Sequence, residues 1–93
     1  MQKISSIKWS HKSVNHISEH HISPEEVEEA CFNEEQKPFI RTGRDTLHYV
    51  FGQTESGRYL FTVVKFLRQG QVTLITSREM NEWEKDYYHR KGK

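Results

Sequence analysis

The sequence has one cysteine, two prolines and no long apolar run. A single cysteine, Cys31, excludes a disulfide within one chain. The first residues, Met-Gln-Lys-Ile-Ser-Ser-Ile-Lys-Trp, lack the apolar stretch of a secretory signal peptide. No apolar segment approaches the length that crosses a bilayer. These absences predict a cytoplasmic protein with no membrane partner.

Motifs of several enzyme classes are also missing from the sequence. It contains no glycine-rich phosphate loop, no Gly-x-Ser-x-Gly and no His-Glu-x-x-His. His16 and His20 are spaced to share one side of a helix, but no further His or Cys residues complete a tetrahedral set of ligands. We therefore expect no metal site and no cofactor.

The composition predicts one small domain, residues 1–93, with a thin core. Hydrophobic residues make up only 33% of the chain and aromatic residues 12%, so a few large rings must supply much of the burial. The net charge of +1 is unevenly distributed. Residues 1–36 have three Lys and seven Glu, a net −4, and the remaining residues have a net +5. Such a split permits a polyanion on one surface and a basic partner on another.

Residues 59–66, Tyr-Leu-Phe-Thr-Val-Val-Lys-Phe, form the most continuous apolar segment and predict a central β-strand. Turn-type residues bound the segment on both sides. Residues 46–54 and 71–78 would pair with it as an antiparallel meander. Residues 4–9 and 38–41 are predicted as edge strands, the second because proline is tolerated there.

Three helices are predicted from caps and apolar spacing. The first follows Ser10 and runs to about residue 20, and the second begins at the capping box Ser23-Pro24-Glu25-Glu26 and runs to about residue 33. A second capping-box pattern, at residues 76–79, would open a last helix through about residue 88. Its inner face would present Met80, Trp83, Tyr87 and Tyr88. The predicted fold is α+β, with one antiparallel sheet of four to five strands, two amino-terminal helices and one carboxyl-terminal helix.

If both hairpin loops have two residues, the register places three basic side chains on one sheet face. His48 then faces Lys65, Lys65 faces Leu74, and Phe61 faces Arg78. A face that carries His48, Lys65 and Arg78 on strands otherwise built for burial indicates an anion-binding site. Solvation of one open face of an antiparallel sheet would produce the same pattern.

Several short motifs follow one another along the chain. They are Ile7-Lys8-Trp9, His20-His21-Ile22-Ser23-Pro24-Glu25-Glu26-Val27, Tyr49-Val50-Phe51-Gly52, Gly57-Arg58-Tyr59-Leu60 and Ile75-Thr76-Ser77-Arg78. With Glu84 and Tyr88 in the last helix, they resemble the BrnT family of small ribonuclease toxins from bacterial type II toxin–antitoxin modules. The resemblance covers residues 9–32 and 49–88.

The resemblance implies a RelE-like fold and RNA cleavage by metal-independent general acid/base chemistry. In that interpretation Arg78 holds the scissile phosphate, Lys65 assists it, and His48 or Tyr88 transfers protons. Loss of Arg78 would then lower cleavage by about two orders of magnitude or more, with little change in melting temperature. Further RNA contacts are assigned to Arg44, Arg58 and Arg68.

The resemblance also implies a partner, a ribbon-helix-helix antitoxin that binds DNA, so that this chain meets DNA only through it. The acidic surface of the second helix, with Glu25, Glu28 and Glu29, is assigned to that antitoxin. Two alternatives remain: a non-catalytic module of the same fold that binds a protein or nucleic acid, and an interaction protein whose working surface is the second helix.

Overall fold

The computed structural model describes residues 4–91, which form five strands and three helices. The strands are β1 (Ser6–Lys8), β2 (Phe39–Thr42), β3 (Leu47–Gln53), β4 (Tyr59–Arg68) and β5 (Gln71–Glu79). The helices are α1 (His11–Ser18), α2 (Pro24–Phe32) and α3 (Glu82–Lys91). Among the described residues, no helix combines the length and apolar character that a membrane span requires. The α+β class and the order of the three helices are confirmed.

The strands form one mixed sheet in the order β1-β5-β4-β3-β2. The prediction of a purely antiparallel sheet is wrong because β1 pairs with β5 in parallel. The other three pairings are antiparallel, and β4 is in the middle as expected. Two helices and three strands, rather than a tight hairpin, separate β1 from β5 along the chain, so the two strands can run in the same direction.

Both faces of the sheet pack against helices, whereas the sequence predicted one open face. α1 and α2 cover the first face, where Val50, Leu60 and Val64 meet Ile17 and Val27 in the larger core. α3 covers part of the second face, called the α3 face. The α3 face is formed by side chains that the strand pairing places together, Phe39, Arg41, Leu47, Tyr49, Phe51, Tyr59, Phe61, Val63, Lys65, Thr73, Thr76 and Arg78.

The predicted pairing of β3 with β4 is wrong by one residue. His48 pairs with Val64, and Lys65 pairs with Leu47. The loop is longer than the two residues assumed, because the last pair before it is Gln53 with Tyr59. A shift of one residue moves a side chain to the opposite face, so His48 lies on the face that α1 and α2 cover.

The pairing of β4 with β5 is predicted correctly at both ends but not between them. Arg68 pairs with Gln71 and Phe61 with Arg78 as expected, but Lys65 pairs with Thr73 rather than Leu74. The register shifts between Phe66 and Arg68, where β4 has one extra residue, and shifts back between Val63 and Val64, where β5 passes from Thr76 to Leu74 and leaves one residue unpaired. Such irregularities are typical of β-bulges, and the hairpin loop lengths do not reveal them.

The capping box predicted at residues 76–79 is also wrong. These residues complete β5, where Ser77 pairs with Thr62 and Glu79 with Leu60. The cap of α3 lies further on, at Asn81, whose Oδ1 accepts a hydrogen bond of 2.8 Å from the Glu84 amide. In return the Asn81 amide donates to Glu84 Oε1 at 2.9 Å. The caps predicted at Ser10 and Ser23 are confirmed.

Candidate functional site

An aromatic cluster fixes α3 over one end of the α3 face. Phe51 and Tyr88 are buried there with Met80, and Phe61 and Tyr59 pack against them half-buried. Farther along the strands the α3 face extends to Lys65, which is exposed. The candidate site is this boundary between the covered and the uncovered part of the face.

Arg78 stands at the boundary and is held in place from three directions. Its guanidinium carbon lies 4.6 Å from the centre of the Phe61 ring. Its Nη1 and Nη2 donate to the two carboxylate oxygens of Glu84 at 2.8 and 2.7 Å. Nη1 also donates to the Glu79 carbonyl at 3.1 Å. The guanidinium plane therefore has a fixed position on the α3 face.

The Glu84 carboxylate is ionised in spite of its burial. Burial is the largest effect and raises the pKa of Glu84, but hydrogen bonds from Arg78 and the Asn81 amide, with the charge of Arg78, outweigh it and lower the pKa overall. The hydrogen bonds to Glu84 are also the main reason why the pKa of Arg78 is raised. The side chain of Glu84 is only 7% exposed, whereas that of Arg78 is 39% exposed.

Arg78 retains donors for a further ligand. A guanidinium has five N–H groups, and the bonds to Glu84 and Glu79 use three of them. Within residues 4–91, the Nε hydrogen and one Nη2 hydrogen have no acceptor. These two hydrogens lie on one edge of the planar group, the fork that binds phosphate in bidentate fashion.

The other residues assigned to catalysis are not gathered around Arg78. Lys65 shares the α3 face, but its β4 position is four residues from Phe61, the partner of Arg78, which is roughly 13 Å along a strand. His48 lies on the opposite face, with its ring 4.6 Å from that of Phe66. The structure therefore brings Arg78 and Lys65 to one face and separates His48 from them.

Tyr88 lies near the site but is buried. The side chain is 2% exposed, and its hydroxyl donates to the Lys37 carbonyl at 3.3 Å. Burial, followed by the proximity of Tyr59, raises the pKa of Tyr88. A buried hydroxyl with a raised pKa is a poor group for proton transfer to a solvent-exposed substrate.

Sequence reasoning missed a second polar pair on the α3 side of the sheet. The Tyr59 hydroxyl lies 3.2 Å from His89 Nε2, and His89 is exposed. Tyr59 is two residues from Phe61 on β4, so it points to the same face as Phe61 and Arg78. Tyr59 and His89 are thirty residues apart in sequence, and no local pattern indicates their contact.

Of the three arginines assigned to RNA, Arg58 has a structural role in the fold. Its Nη1 donates to both carboxylate oxygens of Glu26, at 2.9 and 2.8 Å, and to the His21 carbonyl at 2.9 Å. Its Nε donates to Glu79 at 2.7 Å. Arg58 therefore joins the start of α2 to the end of β5. Arg44 and Arg68 are exposed, in the loop before β3 and at the end of β4.

The acidic residues of α2 lie on its outer side, with partial internal contacts. Glu28 accepts a hydrogen bond from Trp9 Nε1 at 3.0 Å, and Glu29 accepts one from the Glu55 amide at 3.2 Å. Glu25 and Glu28 are exposed. This surface is on the other side of the sheet from Arg78.

An exposed aromatic stack flanks the α3 face, and the sequence prediction placed part of it in the core. The rings of Trp83 and Tyr87 are parallel within 6°, with centres 5.4 Å apart. Tyr87 packs on Phe39 and Phe51, and the Arg41 guanidinium lies 5.5 Å from its ring centre. Trp83 is 58% exposed, the largest value among the described large hydrophobic side chains.

The described part of the chain contains no group of three or more His, Cys, Asp or Glu side chains placed to hold a metal ion. His16 and His20 contact each other, with ring centres 5.6 Å apart. Comparison of the chain with protein-family models, with curated proteins and with solved structures finds no match.

Proposed function

We propose that this protein is a cytoplasmic ribonuclease of the BrnT type, with a RelE-like fold, and that its RNA substrate lies across the α3 face. The observation that carries the proposal is the open fork of Arg78. The guanidinium is oriented by Glu84 and Phe61, yet two N–H groups on one edge remain for phosphate. Lys65, exposed on the same face, supplies a second positive charge for another phosphate of the strand.

The chemistry of this reaction requires three contributions from the protein. The ribose 2′-hydroxyl loses a proton, the pentacovalent phosphorane carries extra negative charge, and the departing 5′-oxygen gains a proton. Arg78 stabilises the phosphorane charge through its fork. Proton transfer is assigned to the Tyr59–His89 pair, because His89 is exposed and its Nε2 lies within hydrogen-bond distance of the Tyr59 hydroxyl. His48 and Tyr88 are less suitable, the first by its face and the second by its burial.

The test is cleavage of a labelled RNA by the purified chain, with and without a chelator. We expect chelator-resistant cleavage that falls at least tenfold in His89→Gln with RNA affinity unchanged, because the imidazole acts on protons and not on phosphate. Arg78→Lys keeps a positive charge beside Glu84 but has no fork, so cleavage should fall by about a hundredfold. Lys12→Ala, on α1 at the opposite side of the sheet, is the matched control and should leave both properties unchanged.

A second candidate function is RNA binding without cleavage. It is favoured by the bidentate pairing of Arg78 with Glu84, since a neutralised arginine attracts a phosphorane less strongly than a free one. In this case RNA affinity depends on Lys65 and on salt concentration, while intact RNA is recovered after prolonged incubation. Absence of cleavage together with absence of RNA binding would reject both candidates.

The proposed antitoxin is a ribbon-helix-helix protein whose carboxyl-terminal segment folds on this chain. Exposed Glu25 and Glu28 on α2 offer a negative surface to its basic residues. Co-expression with the genomic neighbour tests this partner: the two proteins should copurify, and the neighbour should relieve growth arrest. A combined Glu25→Gln and Glu28→Gln change should weaken the complex at low salt. A neighbour that neither copurifies nor relieves growth arrest removes the antitoxin from the proposal.

A further inference from the structure

The Trp83–Tyr87 stack is built as a rigid platform. Tyr87 is half-buried and fixed by contacts with Phe39 and Phe51, whose ring centres lie 5.7 and 5.2 Å away. Trp83 lies parallel to Tyr87, one helical turn earlier on α3, and so has a defined orientation although most of its surface is exposed. A flat ring held in this way offers an open π-surface with little entropy left to lose on binding.

The charges around the stack differ on its two sides. On the sheet side, Arg41 lies over the Tyr87 ring and is exposed, so its guanidinium is available to an anion. On the helix side, exposed Glu82 and Asp86 flank Trp83, and Glu82 is only weakly paired with Lys85 at 3.7 Å. Carboxylates beside the indole repel phosphate, so the ring itself is suited to a neutral flat group and Arg41 to the phosphate attached to it.

From this arrangement we propose that Trp83 is a stacking site for one unpaired nucleobase, with Arg41 binding the neighbouring phosphate. The inference rests on the proposed RNA-binding function and adds the structural class of the substrate, which is single-stranded. A base within a duplex has both of its faces covered by neighbouring bases and cannot stack on an indole. Stacking on an aromatic side chain tolerates any base, so the site selects for unpaired structure rather than for sequence.

The experiment measures the affinity of the full chain for two labelled 2′-O-methyl oligonucleotides of equal length, one with bases and one fully abasic. The 2′-O-methyl group removes the nucleophile, so cleavage cannot interfere with the titration. Trp83→Ala should weaken binding of the base-containing oligonucleotide by about 5- to 100-fold, the range found when a stacking aromatic is removed. Trp83→Phe should retain most of the affinity, and binding of the abasic oligonucleotide should be the same in wild type and Trp83→Ala.

A second readout uses the fluorescence of Trp83 itself. The chain has two tryptophans, and Trp9→Phe removes the other one, which lies beside Glu28 on α2. In that background the base-containing oligonucleotide should quench the remaining emission and the abasic one should not. Since Trp83 is exposed, its replacement should leave the far-UV circular dichroism unchanged.

Several results would overturn the stacking site. If Lys65→Ala weakens binding of both oligonucleotides while Trp83→Ala changes neither, RNA binding stands and the stacking site is refuted. If Trp83→Ala weakened the binding of both oligonucleotides equally, the indole would not be in contact with a base. If the wild-type chain binds neither oligonucleotide, the stacking site and the proposed function fail together. A dimer that becomes monomeric in Trp83→Ala, with oligonucleotide affinity unchanged, would assign the stack to a second copy of the chain.

Discussion

Replacing Arg78 by alanine should destabilise the fold, contrary to the expectation from sequence of little change in melting temperature. Arg78 supplies the two shortest hydrogen bonds to Glu84, and afterwards the carboxylate, 7% exposed, would keep only the Asn81 amide. Breaking a fully buried ion pair costs roughly 3–5 kcal/mol, and the 39% exposure of the Arg78 side chain reduces this to about 2–3 kcal/mol. For a domain of this size the melting temperature should fall by about 10–20 °C.

The same variant should show a characteristic pH dependence in thermal denaturation. In the wild type the pKa of Glu84 lies below its ordinary value of 4.5, so the pair stabilises the fold above that pH, and the stabilisation is lost as pH falls through the folded-state pKa. In Arg78→Ala burial acts almost alone and raises the pKa, so protonation at low pH relieves the unpaired charge. The difference in melting temperature between the two proteins should therefore shrink on acidification. The double variant Arg78→Met, Glu84→Leu is the control and should melt close to the wild type. A decrease in the melting temperature of Arg78→Ala smaller than about 3 °C, or a decrease that does not shrink at low pH, would refute the reasoning.

Three further predictions concern the structural parts of the fold. Arg58→Lys should lower the free energy of unfolding, measured by chemical denaturation, by about 1.5–3 kcal/mol, because one ammonium group cannot reach Glu26, Glu79 and the His21 carbonyl together. A decrease below about 0.5 kcal/mol, roughly that expected for an exposed ion pair, would contradict this. Gly52→Ala should lower the free energy of unfolding by about 1–3 kcal/mol, since the new Cβ would lie 2.6 Å from a backbone carbonyl oxygen of α2. The comparison is Gly57→Asn at an exposed turn position, which should destabilise the fold less. Burial raises the pKa of Cys31 to about 12, so its thiol should react with a thiol reagent only after unfolding; rapid reaction of the native protein would show that α2 opens.

Local sequence patterns determined the helices and strands of this protein to a large extent. The serine caps of α1 and α2 act within four residues of chain, so Ser10 and Ser23 could be recognised without any tertiary information. The continuous apolar run of residues 59–66 likewise indicated β4, because a strand with apolar side chains on both faces requires burial on both sides. The same run already indicated that both faces of the sheet are covered, although one face was expected to be open.

The candidate site depended on contacts between residues far apart in sequence. The face of His48 was fixed by the length of the β3–β4 loop, and the partner of Lys65 by two irregularities in the pairing of β4 with β5, which no residue type specified. Residues 76–79 carry a helix-capping pattern, but their backbone groups form hydrogen bonds with β4, so these residues belong to a strand. Asn81 caps α3 instead. Arg78 and Lys65 were identifiable from the sequence as basic residues on strands. Only the tertiary structure could pair Arg78 with Glu84, place His89 against Tyr59 and leave Trp83 exposed, because each of these depends on where α3 crosses the sheet.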